Sequence, residues 1–527
     1  MSKHILIING NPDPAPERVR EVLSRYGFRD VELAYKNLTA LSVEKIRFLS
    51  TRRCRHFLAS IAPRLLAAIA ATPDPDGTLI TLEKVSDSLG GKGVLWELFS
   101  FNPPTLRLYV ELCASSQYLS NILITNPGMI DELMDSLVLN KLPTLDFLQQ
   151  TLADLCRGAE DIEPILHSFK NAQQLRVGVR DILGKQDVQA TTGVLSDIAQ
   201  ACLEQIVMVE YDKLAAKLGE PTLNSGPDAG QPCELVILAL GKFGGRELNY
   251  YSDLDLIFLY EADGTTVPGR RARRAESTSN QHFFSELGQR IIRFASQLGP
   301  YGRLYEVDVR LRPTGRSGAL ATSFEELRRY FAEGQGTIWE RQALLRGRVV
   351  YGSQRASSDA AAVVRECTFA TSWQEGDALA IRDMRRRMEE GVPKGSIKRG
   401  PGGLVDIEFL VQMLQLKYGA AEPAIVDPNT LDALVALRAA GHLNDADFEL
   451  CSNAYRFLRT IEARLRLLKS TARDDLPDEP IDRAKLARFL GYEDRDALLA
   501  DYEHTRERVR QCVNRLFAQQ GAAAPVG

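Results

Sequence analysis

No CxxC pair and no cysteine–histidine cluster occurs in the sequence. Eight cysteines (Cys54, Cys113, Cys156, Cys202, Cys233, Cys367, Cys451 and Cys512) and six histidines lie dispersed along 527 residues. That scatter indicates neither a zinc site nor a disulfide framework, and reduced thiols in the cytoplasm are the expectation. No stretch approaches the roughly 18 apolar residues of a membrane span. The apolar run in "MSKHILIINGNPDPAP" is too short for a signal peptide. A net charge of −4 supplies no global basic field, so neither nucleic acid nor a membrane is an expected partner. A Walker-type GxxxxGK[ST] loop is missing, and so is any fixed-period repeat.

What is present is the balance of an ordinary globular protein, 44% hydrophobic and 25% charged. Residues 1–16 hold "ILIING" followed by "NPDPAP", which reads as a short strand ending in a Pro-rich turn and stays without a role. Residues 17–220 read as helical: "SVEKIRFLSTRRCRHFLASIAPRLLAAIAAT" and "NPPTLRLYVELCASSQYLSNILIT" repeat apolar residues at spacings of three and four. Packed helices are expected, with prolines in their connections, a loop at "PDPDGT" (73–78), a helix start at Asn126–Pro127 and a linker at "GEPTLNSGPDAGQP" (219–232). Over 221–360 the period changes. "ELVILAL", "DLDLIFLYE" and "LYEVDVRLRP" are candidate strands, and Phe284, Leu287, Ile291 and Phe294 mark one face of a helix between the last two. Residues 375–520 return to a helical bundle, and "GAAAPVG" reads as a disordered end. The expected class is α+β, predominantly helical, with an α/β domain at 221–360 flanked by helical regions.

The chemistry concentrates in "GKFGGRELNYYSDLDLIFLYE" (241–261). Residues two apart on a strand share a face, so Asp253 and Asp255 aim together. Two adjacent carboxylates repel, and one is driven to keep its proton unless a cation is shared. Oxygen ligands and a hard divalent ion match, which points to Mg²⁺. Upstream, the chain leaves a strand into Gly244 and Gly245, where a phosphate can approach the backbone, with Lys242 or Arg246 adding charge. "YEVDVRLRP" offers a third acid, Asp308, and alternation places Arg310 and Arg312 on its face. A buried structural Asp–Arg pair is the competing reading of that run. Taken together the motifs read as a metal–nucleoside triphosphate site. Asp253, Asp255 and Asp308 are its catalytic and metal-binding candidates. Gly244, Gly245, Lys242, Arg246, Ser252, Arg310 and Arg312 are its nucleotide-binding candidates.

Three further stretches carry charge. "RRARR" (270–274) reads as a solvated loop or as a dock for an acidic partner surface. "SIKRGPGG" reads equally as a helix entry or an anion contact through Lys398, Gly402 and Gly403. Asp406 and Glu408 read as charges at a helix N-terminus.

The long motif, with "YEVDVRLRPTGRSGAL", "IWERQALLRGRVVYG", "GPGGLVDIEFLVQMLQLKYG" and "YRFLRTIEARLRLL", resembles the glutamine synthetase adenylyltransferase family of DNA polymerase β-type nucleotidyltransferases. "LCASSQYLSNILITNPGMIDELMDS" upstream is similar too, so the likeness runs over roughly residues 17–515. It implies a polymerase-β-like catalytic domain and transfer of AMP from ATP to a tyrosine of glutamine synthetase, with two Mg²⁺ ions between Asp253, Asp255 and Asp308 and the triphosphate on the Gly244–Gly245 turn. It also implies the nitrogen-regulatory PII protein and glutamine as effectors. Family members usually carry an AMP-removing and an AMP-adding half. This sequence holds one copy of the motif, and "WERQALLR" and "SGALATSFEEL" look closer to the adding half. The alternatives are an AMP-removing phosphorolase and a non-catalytic nitrogen-sensing module.

Overall fold

The structure, a computed structural model, describes residues 16–46, 49–131, 141–224, 229–268, 276–313, 315–393 and 395–521. The expected N-terminal strand, "RRARR" and all but the first glycine of "GAAAPVG" lie outside them. The described structure is predominantly helical, with small sheets. It divides into two compact units, each gathered from three separate stretches of chain.

One unit takes in Met1–Leu142, Asn171–Asp187 and Thr460–Asp501. Its helices begin where side chains can close their first turns. Asp30, Ser50, Asp74, Asn102 and Ser116 each accept a hydrogen bond from the backbone N–H three residues on. The "PDPDGT" stretch is therefore a helix entry rather than a loop: Asp74 caps and Pro75 opens the helix Pro75–Ser88. Ser116 likewise splits the predicted 102–125 run into Pro103–Ser115 and Gln117–Thr125. Not every proline lies in a connection, since Pro63 sits inside the helix Thr51–Ala70. Asn126 opens only a short 3₁₀ turn, Pro127–Met129, and residues 132–140 fall outside the described set. Trp96, Phe99 and Tyr109 fill the core, and their polar tips are satisfied: Trp96 Nε1 donates to Leu41 O at 3.1 Å, and Tyr109 OH meets Ser86 Oγ at 2.9 Å.

The other unit takes in Pro143–Lys170, Val188–Arg459 and Tyr502–Gly527. Its strands are β1 (Glu220–Pro221), β2 (Leu235–Ala239), β3 (Leu254–Tyr260), β4 (Thr266–Val267), β5 (Val307–Asp308), β6 (Ala321–Ser323) and β7 (Arg348–Tyr351). The 219–232 segment is thus partly strand, because β1 pairs with β4. The remaining five form one mixed sheet in the order β5-β3-β2-β7, with β6 also on β3. β2 runs antiparallel to β3 and β7, while β5 and β6 run parallel to β3. β2 and β3 are apolar on both faces because both faces are covered. Val236, Leu238, Leu240, Ile257 and Leu259 pack on Phe324, Leu327, Phe331, Val363 and Cys367 from the helices Phe324–Ala332 and Gln354–Thr368. On the opposite face the helix Asn280–Ser296 buries Phe283, Phe284, Leu287 and Ile291, and Phe284 stacks on Tyr260 at 5.3 Å. The third predicted strand shrinks to two residues: past Asp308 the chain turns, so the alternation expected to align Asp308, Arg310 and Arg312 does not extend beyond the first of them.

Candidate active site

The site lies at the end of the sheet where β2 leaves and β3 enters. Asp255 is the second residue of β3, and Asp253 immediately precedes the strand. Both carry the parity of Ile257 and Leu259, which fixes their common face. The parallel pairing of β3 with β5 sets Asp255 opposite Asp308 in register, with Leu254 N donating to Glu306 O at 2.8 Å. One carboxylate oxygen from each of the three aspartates lies within 4.8 Å of the others. Asp253 is exposed and the other two are half-buried.

Burial, together with the charges of Asp253 and Asp308, pushes the Asp255 carboxyl up to about 7, against the opposing pull of Lys398 and Arg310. A carboxylate so disfavoured in the charged form is a ready partner for a cation. Three convergent oxygens fit a hard divalent ion, and among the described residues no histidine or cysteine joins them. Asp308 is oriented from outside by Arg310, whose backbone N–H and Nε donate to it at 2.8–2.9 Å and whose Nη2 also bonds it.

Other candidates take different places. Gly244 and Gly245 do pack tightly, but against protein: a Cβ on Gly244 would stand 1.8 Å from Arg346 O, and one on Gly245 would stand 2.6 Å from Pro428 O. Lys242 turns its ammonium into a buried cluster with Glu247, Glu408 and Tyr455. Arg246 bonds Asp197 on the helix Val188–Leu218 at 2.7 Å. Ser252 Oγ accepts from Asn249 N at 3.0 Å. Buried Arg312 donates to Val309 O at 2.7 Å. The structure brings the three acids together and leaves these cations holding the frame around them.

Two features went unread in the sequence. Gly241, not Gly244, is the glycine against the acids: its φ is +53°, and a Cβ there would meet Asp255 Oδ2 at 2.2 Å. Behind the turn, Glu247 is the hub of a buried polar network. It accepts from Arg346 Nη2, Tyr455 OH and Thr430 N, each at 2.7 Å, and its carbonyl accepts from Arg459. Arg346 Nε donates to Gly241 O at 2.8 Å, which ties the network to the glycine turn. Although burial alone would raise it, the charges of Arg346, Lys242 and Arg459 hold the Glu247 carboxyl well below the usual range. Glu408 belongs to this cluster through Lys242, and Asp406, fully buried, pairs with Arg385 and Arg510 and accepts from Gly402 N. Neither is a free charge at a helix end. The signal was faint: charged residues inside otherwise apolar helical stretches, far apart in sequence.

Residues 106–363 match the family model "Glutamate-ammonia ligase adenylyltransferase", and residues 379–517 match "GlnD PII-uridylyltransferase". Three proteins named bifunctional glutamine synthetase adenylyltransferase/adenylyl-removing enzyme are similar over most of the chain. That of Thioalkalivibrio sulfidiphilus is 32% identical over 87% of this chain and 48% of its own length. The Pseudomonas aeruginosa protein is 31% identical over 86% and 48%, and the Streptomyces coelicolor protein 31% over 89% and 44%. The chain spans about half the length of the curated relatives it matches. By these matches the chain is similar over most of its length to the bifunctional glutamine synthetase adenylyltransferases, with the likeness to the glutamate-ammonia ligase adenylyltransferase family model at residues 106–363.

Proposed function

We propose that this chain is a protein nucleotidyltransferase that moves AMP from ATP to a tyrosine of glutamine synthetase and releases pyrophosphate. The observation that carries the reading is the convergence of Asp253, Asp255 and Asp308 at one end of the sheet. The sheet and its covering helices are read as a polymerase-β-like nucleotidyltransferase domain. The three carboxylates would hold two Mg²⁺ ions, which when bound favour the phenolate of the acceptor and neutralise charge on the phosphate oxygens. Asp308, fixed by Arg310, is the candidate for orienting the acceptor hydroxyl. Asp255, half-buried and reluctant to ionise, is the candidate to exchange its proton for a cation near neutral pH. The acceptor tyrosine gives up its proton to Asp308 or to water, its oxygen attacks the α-phosphorus, the bond to the bridging oxygen breaks, and pyrophosphate carries the electron pair away. The match of residues 379–517 to a PII-uridylyltransferase supports a PII-type regulatory protein as an effector, with glutamine as a second.

A second reading is favoured by the names of the relatives, which include an adenylyl-removing activity. Both are tested together. The purified protein is incubated with Mg²⁺, ATP and unmodified glutamine synthetase, and in parallel with Mg²⁺, phosphate and adenylylated glutamine synthetase. A gain of one AMP mass per modified subunit in the first mixture is expected. Release of ADP in the second mixture, with no gain in the first, reverses the direction. Neither reaction at saturating Mg²⁺ removes the enzymatic reading and leaves the sensing module.

A further inference from the structure

We infer that a cavity at the other end of β2 from the glycine turn is an effector site for a small organic cation, an amine or diamine, whose occupancy reaches that turn through Gln200 and Arg348. The cavity encloses about 680 Å³, the size of a small-ligand site. The helix Val188–Leu218 supplies Gln200, Glu204 and Tyr211 from one face. Glu234, just before β2, and Tyr351, at the end of β7, form the facing wall, and Gln149 comes from the helix Leu145–Cys156. β2 runs from Leu235 in the cavity to Ala239, just ahead of the glycine turn. At roughly 3.3 Å per residue its ends stand about 13 Å apart, so the cavity is separate from the three acids.

The lining selects for positive charge. Two carboxylates and two tyrosines face the cavity, and among the described residues no lysine, arginine or histidine lines it. Glu234 is shared with Arg355 at 3.4 Å and accepts from Ser353 N at 3.2 Å. Glu204 has only neutral amides in contact among the described residues. Gln149 Nε2 donates to its two oxygens at 2.9 and 2.7 Å, and Gln200 Nε2 donates to Oε1 at 3.0 Å. The amides fix the carboxylate in place and leave its charge without a counter-ion at contact distance. An ammonium beside it gains a charge-assisted hydrogen bond, and tyrosine rings add cation–π attraction. An anionic ligand would meet two like charges instead.

A chain of hydrogen bonds joins this carboxylate to the glycine turn. Gln200, which donates to Glu204, accepts from Arg348 Nη1 at 2.7 Å. The same guanidinium donates to Gly244 O at 3.1 Å and to Phe243 O at 3.2 Å. Those carbonyls belong to the turn that begins at Gly241, the glycine packed against Asp255. A cation on Glu204 competes with the Gln200 amide for Oε1 and so alters the hold of Arg348 on the turn. The effect on nucleotide rests on the nucleotidyltransferase reading, whereas the cation site does not.

The test uses 1,4-diaminobutane as the probe, with 1,4-butanediol and succinate as its neutral and anionic counterparts. Dissociation constants are measured by calorimetry on the wild-type protein, Glu204→Gln and Met208→Trp. Met208 lines the cavity and is 53% exposed, so an indole there fills the space without disturbing the core. The diamine should bind saturably, and the diol and succinate about tenfold or more weaker. Each substitution should weaken the diamine about tenfold or more, for Glu204→Gln the scale of one charge-assisted hydrogen bond. Saturating diamine should shift the Mg²⁺-ATP constant about threefold or more, and saturating Mg²⁺-ATP should shift the diamine constant by the same factor. That mutual shift should vanish in Glu204→Gln. No saturable diamine binding by the wild type, equal affinities in the wild type and both variants, or an Mg²⁺-ATP constant indifferent to the diamine overturns the inference. Diamine binding that responds to both substitutions, with no Mg²⁺-ATP binding at all, overturns the nucleotidyltransferase reading while the cation site stands.

Discussion

A carboxyl that keeps its proton to about pH 7 must give it up when a metal arrives. For Asp255 that means Mg²⁺ binding to the nucleotide-free protein should weaken roughly tenfold per pH unit below 7, the slope of one displaced proton. Asp255→Asn should bind weakly at every pH, and calorimetry across pH 5.5–8 (roughly the range where the proton is exchanged) reads the difference. Asp253→Asn should lose turnover while the melting temperature holds, because it is exposed and contributes charge rather than packing. Near-normal turnover by that variant in saturating Mg²⁺ would remove Asp253 from the metal set. His167 gives a prediction that has nothing to do with catalysis. Burial first, and Lys170 second, push its imidazole down to about 4 from an ordinary 6.5. The neutral ring is favoured in the fold, so its contribution is fully present above pH 6.5 and is lost as pH falls from there towards 4. The loss should approach about 1.4 kcal/mol per pH unit and flatten in His167→Gln, as measured by denaturant midpoints at stepped pH. At this scale the sequence spoke clearly about the acids, because carboxylates two apart in an apolar run are costly to bury unless a cation meets them. The partners of the cations were not legible in it, because an arginine that braces a neighbour and one that binds phosphate look alike in sequence.

Among the elements, β2 and β3 were legible from their apolar runs and the helix Asn280–Ser296 from its periodicity. β5 was over-read: "YEVDVRLRP" has strand composition, but only Val307 and Asp308 find a partner strand. That short pairing is enough, since it registers Asp308 against Asp255. The network around Glu247 was invisible because its members come from the helices Leu404–Tyr418, Thr430–Ala439 and Asp445–Lys469, from Arg346 just past the helix Ile338–Leu344, and from the glycine turn. With Arg346 and Glu247 side chains 7% and 4% exposed, removing one charge strands the other. Glu247→Gln should therefore cost about 3–5 kcal/mol in chemical denaturation. Tyr455→Phe, which removes a single hydroxyl, should cost about 1–2 kcal/mol. Equal midpoints for Glu247→Gln and wild type would mean the network is solvated in solution.

For the whole molecule, neither compact unit is a continuous stretch of sequence. The unit that carries the acids also contains the last described helix turns, where Arg510 pairs with Asp406 and Arg515 with Asp447. A chain ending at residue 500 should destabilise the unit that carries the acids although every motif residue is intact. Limited proteolysis of the 221–360 region would show it, and unchanged resistance would contradict it. The same discontinuity sets a timetable for synthesis. Glu247 leaves the ribosome about 200 residues before Tyr455 and Arg459, whose bonds to it span 208 and 212 residues. At roughly 5–20 residues per second that is a wait of about 10–40 s. Through it the glycine turn and its aspartates are already made, but the carboxylate behind them has no tyrosine or arginine from the later helix to meet. A nascent chain halted in that window carries every acid of the candidate site without the bracing of the later helix, and is a client for a chaperone.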